Sequence, residues 1–323
     1  MIAMANQHLS DVMQLLNTLM KNAVQRNLAD CILLSGGLDT SVITAAATNH
    51  SKLTGITVSL SEAPDVRFAS LIVEKFGLRH KIIRVNTDGV EQAIPAVVRV
   101  MQSFDPMEVR NDATILIGLR AVKACGFESV MTGDAGDELF AGYSFFFKMT
   151  ADQLRERLKE IWSTMRFASV PLAESLGLQA KLPFLDDEFK NYAMGIDIEL
   201  KIREERGRTY DKWILRKAFE GMLPEEIIWR VKMPIEQGSG TTMLQNYYAK
   251  KIDDSHFDEE KRTIKRRDGV VIRDKEQLAY YQVYKKIFGP PATRGVGTKL
   301  CKGCSTHLPD EANYCRTCGE YPV

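Results

Sequence analysis

Seven residues could grip a phosphate: Ser35, Gly36, Gly37, Leu38, Asp39, Thr40 and Ser41, set between the apolar stretches "CILL" and "VITAAA". Backbone N–H groups, three hydroxyls and the positive end of a following helix would together make an anion cradle. A Walker loop would place a lysine beside the phosphates, and this loop has none. Asp39 would repel a bare phosphate. Its natural partner is a magnesium ion shared with phosphate oxygens, since Mg²⁺ takes one or two carboxylates and leaves its other positions to phosphate and water. A second glycine-rich segment, "TGDAGDE" (132–138), offers Gly133, Asp134, Asp137 and Glu138 for the same task. Alone, either segment reads as a glycine turn carrying an acid. Together, on strand ends of one domain, they point to a nucleotide–metal site.

The other chemistry-bearing cluster is "CKGCSTHLPDEANYCRTCGEY", where Cys301 and Cys304 form one C-x₂-C and Cys315 and Cys318 another. Four thiolates at this spacing suit a closed tetrahedral zinc site, which is structural because catalysis needs an open coordination position. His307 falls inside the gap but finds no vacancy. A segment this short cannot build a core, so the metal would supply most of its folding energy. Cys31 and Cys125 stand apart in the main body.

These residues need elements to hold them. "HLSDVMQLLNTLMKNAVQRNL" (8–28) has apolar residues at helical spacing. "ADCILLS" then reads as a buried strand broken by glycine, and "TSVITAAATNH" as a helix. "LTGITVSL", "RHKIIRVN" and "ESVMTG" are further strands, separated by the helical segments "PDVRFASLIVEKFG", "GVEQAIPAVVRVMQSF" and "DATILIGLRAVKACG". Alternation of this kind implies an α/β fold, a parallel sheet of about five strands with helices on both faces. Such sheets bind ligands at the carboxyl ends of their strands, where both glycine segments lie. Beyond residue 145 the pattern is mostly helical, including "TYDKWILRKAFEGM". "HFDEEKRTIKRRDGV" reads as a polar loop or irregular helix. Residues 289–300, with two prolines and three glycines in "GPPATRGVGTK", read as a linker between a main domain (1–288) and a cysteine module (301–323).

Composition narrows the class. With 323 residues, 45% hydrophobic and 26% charged, the chain is expected to be a soluble globular protein. A net charge of +1 gives no global pull toward nucleic acid or membranes. No secretory signal or membrane-length apolar run is evident, so a cytoplasmic location is expected. The basic stretch 261–273 is balanced by Asp258, Glu259 and Glu260 and reads as a solvated face.

The order of motifs also carries a resemblance. "SGGLDTS" resembles the PP-loop of ATP pyrophosphatases, which cleave ATP between its α and β phosphates. "MTGDAGDELFAGY" (131–143), "KLPFLDDEF" (181–189) and "KWILRKAFEGMLPEEIIWRVKMPIEQGSG" (212–240) resemble successive segments of asparagine synthetases, and "DVRFASLIVEKFGLRH" (65–80) does so less closely. The resemblance covers about residues 10–240 and implies an adenine-nucleotide alpha-hydrolase-like fold that uses ATP and Mg²⁺. It also implies site residues. Ser35, Gly36, Gly37, Asp39, Thr40 and Ser41 match the pyrophosphate loop, Gly133 lines the pocket, and Asp39 and Asp137 match the magnesium-binding acids. Lys232 matches the lysine that neutralises phosphate charge during adenylation, a task that makes sense as charge shifts onto the leaving pyrophosphate. Catalysis would thus rest on Lys232, Asp39 and Asp137.

Two departures accompany the match. "GDA" replaces the family's "GEG", which leaves Asp134 one methylene short. The glutaminase domain that opens glutamine-dependent members, with its cysteine after the initiator methionine, is expected to be absent, since Ile2 follows Met1. The expected reaction is adenylation of a carboxylate, then amide formation with ammonia or another amine. "DPMEVRNDAT" is expected to border the pocket, with Arg110 either pairing a substrate carboxylate or serving a structural ion pair. Expected partners are a small carboxylate, a separate glutaminase or other protein reached through the zinc ribbon, and a second copy of the chain. The alternative is a PP-loop enzyme that adenylates a tRNA base, with the ribbon touching RNA; nucleic acid is the less favoured partner.

Overall fold

The computed structural model describes residues 2–47 and 53–323. Five parallel strands form the central sheet: β1 (Cys31–Leu33), β2 (Thr54–Leu60), β3 (Arg79–Val85), β4 (Ser129–Met131) and β5 (Gln179–Lys181), in the order β3-β2-β1-β4-β5. β1 pairs with β2 through Cys31 opposite Thr54 and with β4 through Ile32 opposite Met131. The order reverses between β1 and β4, the place where open α/β sheets leave a crevice at their carboxyl ends. β1 is an apolar run, and β2 is buried along nearly its whole length even where Thr54, Thr57 and Ser59 interrupt its apolar residues, whereas edge strand β3 alternates exposed and half-buried residues.

The amphipathic N-terminal segment forms helix α1 (Ile2–Arg26), which buries Val12, Leu16, Leu19, Met20 and Val24 in the main core. Each such side chain contributes roughly 1.5–3 kcal/mol on burial. Helix α2 (Leu38–Ala46) leaves β1 through the glycine loop, and α3 (Pro64–Phe76) follows β2. The expected extension of α2 through Thr48 to His50 lies outside the described residues.

The described residues divide into two compact units. One comprises Met1–Thr57, Pro64–Ile83 and Gly118–Pro234; the other comprises Val58–Ala63, Arg84–Ile117 and Ile235–Val323. In the second unit an aromatic core joins Phe104 edge-on to Tyr281 and Tyr284, each with ring centroids 5.1 Å apart. The cysteine-bearing segment belongs to this unit and is tied into it by hydrogen bonds. The Phe104 amide donates to the Thr317 carbonyl at 2.8 Å, and Gln277 Nε2 and Arg273 Nη2 donate to the Cys318 carbonyl at 2.9 and 2.7 Å. Within residues 289–300 lie a short 3-10 turn (Pro291–Thr293) and the two-residue strand Lys299–Leu300, which pairs antiparallel with His307–Leu308.

Two local expectations are corrected. The polar stretch after Asp253 is a regular helix, Asp254–Asp268. The Asp253 carboxylate caps its start and Gly269, at φ +68°, closes its end. "TYDKWILRKAFEGM" is helical only from Trp213 to Phe219, because Arg208–Tyr210 pairs antiparallel with Arg203–Glu205 as a hairpin. No described helix is long and apolar enough to cross a membrane.

Candidate active site

The loop after β1 and the loop after β4 meet because their strands are neighbours. Gly36, at φ +66°, brings its backbone against α3; a Cβ there would stand 2.3 Å from the Ala69 nitrogen. Ser41 Oγ donates to the Gly37 carbonyl at 2.7 Å, the Gly37 amide donates to Ser35 Oγ at 3.2 Å, and Ser35 and Thr40 hydroxyls lie 3.4 Å apart. Helix geometry leaves the first N–H groups of α2 without intrahelical acceptors, so its positive end opens beside Asp39.

Two glycines of the second loop permit the approach. A Cβ on Gly133 would lie 3.2 Å from Asp39 Cβ, and one on Gly136 would lie 2.5 Å from the Asp39 carboxyl carbon. The chain turns through Ala135 at φ +73° to start the short helix Gly136–Phe140, which carries Asp137 and Glu138. Left-handed backbone at an alanine is strained and is sustained only by its surroundings.

Four charged side chains converge here. Lys212 Nζ lies 2.7 and 2.5 Å from the two oxygens of Asp39 and 2.6 Å from Asp137 Oδ1. Lys232 Nζ lies 2.7 Å from Asp137 Oδ2 and 4.1 Å from the Tyr143 ring centroid. Burial pushes Asp137 upward, but Lys212 and Lys232 outweigh it and hold the carboxyl below its ordinary range. At Asp39 burial prevails over Lys212 and the group is raised. Burial works against the charged form of Lys212, yet Asp137 and Asp39 raise it, so it stays an ammonium.

Asp134, of uncertain value in the sequence, accepts hydrogen bonds from Thr132 Oγ1 at 2.7 Å and from the Ser169 hydroxyl. It braces the loop. Glu138 accepts from the Tyr143 hydroxyl at 2.6 Å, beside Lys232. Arg230 holds the glycine loop from the other side, with its guanidinium 3.1 Å from Asp65 and 3.4 Å from the Gly36 carbonyl.

The predicted residues Ser35, Gly36, Gly37, Asp39, Thr40, Ser41, Gly133, Asp137 and Lys232 are therefore brought to one place. Sequence reasoning named Glu138 but missed Lys212, Arg230 and the Tyr143 hydroxyl that Glu138 accepts from. Lys212 stands just before the helix Trp213–Phe219, and nothing in the sequence there signals that its side chain crosses to Asp39. Arg110 is buried and pairs with Glu276 at 2.5 Å, which is the structural alternative of the two readings. Asp105 accepts from the Tyr314 hydroxyl at 2.6 Å.

In the second unit the sulfurs of Cys301, Cys304, Cys315 and Cys318 lie within 4.8 Å of one another, all buried. Cys301–Cys318 and Cys304–Cys315 sulfurs are 3.6 and 3.7 Å apart. Four sulfurs at about 2.3 Å from a tetrahedral ion would be about 3.8 Å apart, so this group fits such an ion. His307 is exposed and turns Nδ1 to the Gly297 carbonyl instead.

Comparison with known proteins bears on the family. The asparagine synthase family model matches residues 11–176 and 171–280. The chain is similar to a glutamine-hydrolyzing asparagine synthetase 3 of Arabidopsis thaliana, 29% identical over 308 residues, covering 86% of this chain and 52% of that protein. It is similar also to a glutamine-hydrolyzing asparagine synthetase 2 of Lotus japonicus, 32% identical over 248 residues, covering 69% of this chain and 42% of that protein. The chain thus spans about half the length of the curated relatives it matches. Among solved structures, NMN synthetase from Francisella tularensis covers 90% of this chain and 98% of its own at 14% identity, with a TM-score of 0.37.

Proposed function

Because the chain belongs to the asparagine synthase family, we propose that it cleaves ATP between the α and β phosphates, adenylates a carboxylate, and passes the acyl group to ammonia or another amine. The observation that supports this reading is the meeting of the two strand-end loops, with Asp39, Asp137, Lys212 and Lys232 in one charged network. In this reading the start of α2 and the hydroxyls of Ser35, Thr40 and Ser41 hold the departing pyrophosphate, and the small Gly133 leaves room beside them. Asp39 and Asp137 would hold Mg²⁺, which when bound supplies positive charge to the polyphosphate. The residues fit that task, since both carboxylates already converge on a single cation. Lys232, a quarter exposed, points its ammonium into the same space, where it can follow the negative charge that shifts onto pyrophosphate. Attack of the carboxylate oxygen on the α phosphorus breaks the bond to the β phosphate, releases pyrophosphate and leaves the acyl carbon activated as a mixed anhydride with AMP. An amine then attacks that carbon, AMP leaves, and loss of a proton from nitrogen completes the amide.

Aspartate is the first carboxylate to test, since the relatives are named for asparagine. The nitrogen could be delivered as free ammonia or by a separate glutaminase; glutamine hydrolysis by this chain is no part of the proposal. The four cysteines are proposed to hold Zn²⁺ in a closed, structural site. The test is incubation with ATP, Mg²⁺, ammonia and a panel of carboxylates. The reading expects AMP and pyrophosphate in equal amounts, dependent on one carboxylate. Release of ADP, or of AMP only when tRNA is supplied, would overturn it.

A further inference from the structure

We propose that Lys212 is the resting occupant of the cation position between Asp39 and Asp137, so that the chain takes up a divalent metal only together with a polyphosphate. The inference rests on the ATP-using reading above and adds to it a residue that controls the order of binding.

All four oxygens of the two acids are engaged by ammonium groups. Lys212 takes both oxygens of Asp39, at 2.7 and 2.5 Å, and Asp137 Oδ1 at 2.6 Å; Lys232 takes Asp137 Oδ2 at 2.7 Å. A metal drawing on both acids would need the same oxygens and the same space. The arrangement is also electrically closed, because two carboxylates and two ammonium groups cancel. Adding a divalent ion leaves two uncompensated positive charges in a site where Lys212 is only 5% exposed. Water does little to screen them there. A polyphosphate reverses this balance, bringing enough negative charge for the metal and for both lysines.

The position of Lys212 is built by its neighbours. A Cβ on Gly142 would lie 2.4 Å from Lys212 Cε and 2.1 Å from Asp137 Oδ1, so glycine there leaves the space both groups use. Lys212 itself has left-handed backbone, φ +51°, and its amide donates to the Phe140 carbonyl at 3.2 Å. This directs the stem from the start of the helix Trp213–Phe219 back toward the acids. A lysine suits the task because its ammonium is a point charge on a flexible stem, free to exchange carboxylate for phosphate oxygens. Lys212 is thus a positioning residue for the metal–nucleotide complex.

The test uses zinc-replete full-length protein and Mn²⁺ followed by electron paramagnetic resonance, with and without α,β-methylene-ATP. The unsubstituted protein should bind Mn²⁺ at least tenfold more tightly with the analogue than without it. Lys212→Gln and Lys212→Met should each raise analogue-free Mn²⁺ affinity at least tenfold, while Lys212→Arg, which keeps the charge, should not. Equal Mn²⁺ binding by the unsubstituted protein with and without analogue would overturn the inference, and this arm stands even if neither neutral variant folds. So would folded neutral variants with no gain. Failure of the parent chain to bind the analogue itself, measured by equilibrium dialysis with and without Mn²⁺, would sink the ATP reading on which the inference rests.

Discussion

Lys232 and Lys212 touch the same carboxylate but differ in what surrounds them. Lys212 is enclosed between two acids, whereas Lys232 is a quarter exposed and faces the space where phosphate would lie. Removing Lys232 still leaves Asp137 paired with Lys212, so folding should survive. Lys232→Met is expected to lower kcat by roughly 10²–10³, the range seen when one donor to a developing charge is lost, with thermal unfolding within a degree or two of the parent. A variant with unimpaired AMP formation would remove Lys232 from the chemistry. At the same scale, the sequence shows that each of the two loops turns on glycine. It could not show that Gly136 is needed because the Asp39 carboxylate occupies the place of its side chain.

Among elements, β1, β2, β4 and α2 are legible because each carries apolar residues at the right period, and β1 and β4 run into the glycine turns at Gly36 and Gly133. β5 was expected only as a strand number. "QAK" is three residues long, half-exposed and half-polar, and it becomes a strand only because β4 offers it an edge. The hairpin Arg203–Tyr210 was hidden by charged residues that read equally well as a helix start. Another buried group was invisible for a different reason. Lys201 is fully buried, donates to the Leu139 and Ala193 carbonyls at 2.8 and 2.7 Å, and stands 4.9 Å from the Trp162 ring centroid. It serves the carboxyl ends of the helices Gly136–Phe140 and Asp187–Gly195, where a cation is favoured. Burial pushes its ammonium down to about 7, and no ion pair offsets this among the described residues. Between that value and the unfolded value of 10.5 the unfolded chain binds more protons. The cost of charging Lys201 is therefore complete below pH 7 and is relieved as pH rises. The stability of the parent minus that of Lys201→Met should rise by about 1 kcal/mol per pH unit from pH 7 to 9.5 in urea unfolding. A flat difference would mean that the lysine keeps its proton throughout.

Across the whole molecule, the two units carry different burdens. The first holds the loops and the charged network; the second holds the aromatic core and the four cysteines. The C-x₂-C pairs were plain in the sequence. Their anchoring was not, because the contacts come from main-chain carbonyls of Thr317, Cys318 and Gly319 meeting Phe104, Gln277 and Arg273. No pattern in the cysteine segment encodes those partners. Since the segment shares a unit with Phe104, Tyr281 and Tyr284, metal loss should be felt in their packing. Cys304→Ser is expected to purify with far less than one zinc per chain, with weakened near-ultraviolet circular dichroism and stability lower by a few kcal/mol. A metal-free variant with unchanged unfolding would show that the cluster has no structural duty.

The central claim is that a carboxylate oxygen attacks the α phosphate held by the loops after β1 and β4. It is tested most directly by following that oxygen. With ¹⁸O-labelled carboxylate, ATP, Mg²⁺ and ammonia, mass spectrometry of the nucleotide product should find one ¹⁸O atom in AMP for each amide formed. Amide formation with unlabelled AMP, or with ADP as the product, would contradict the account.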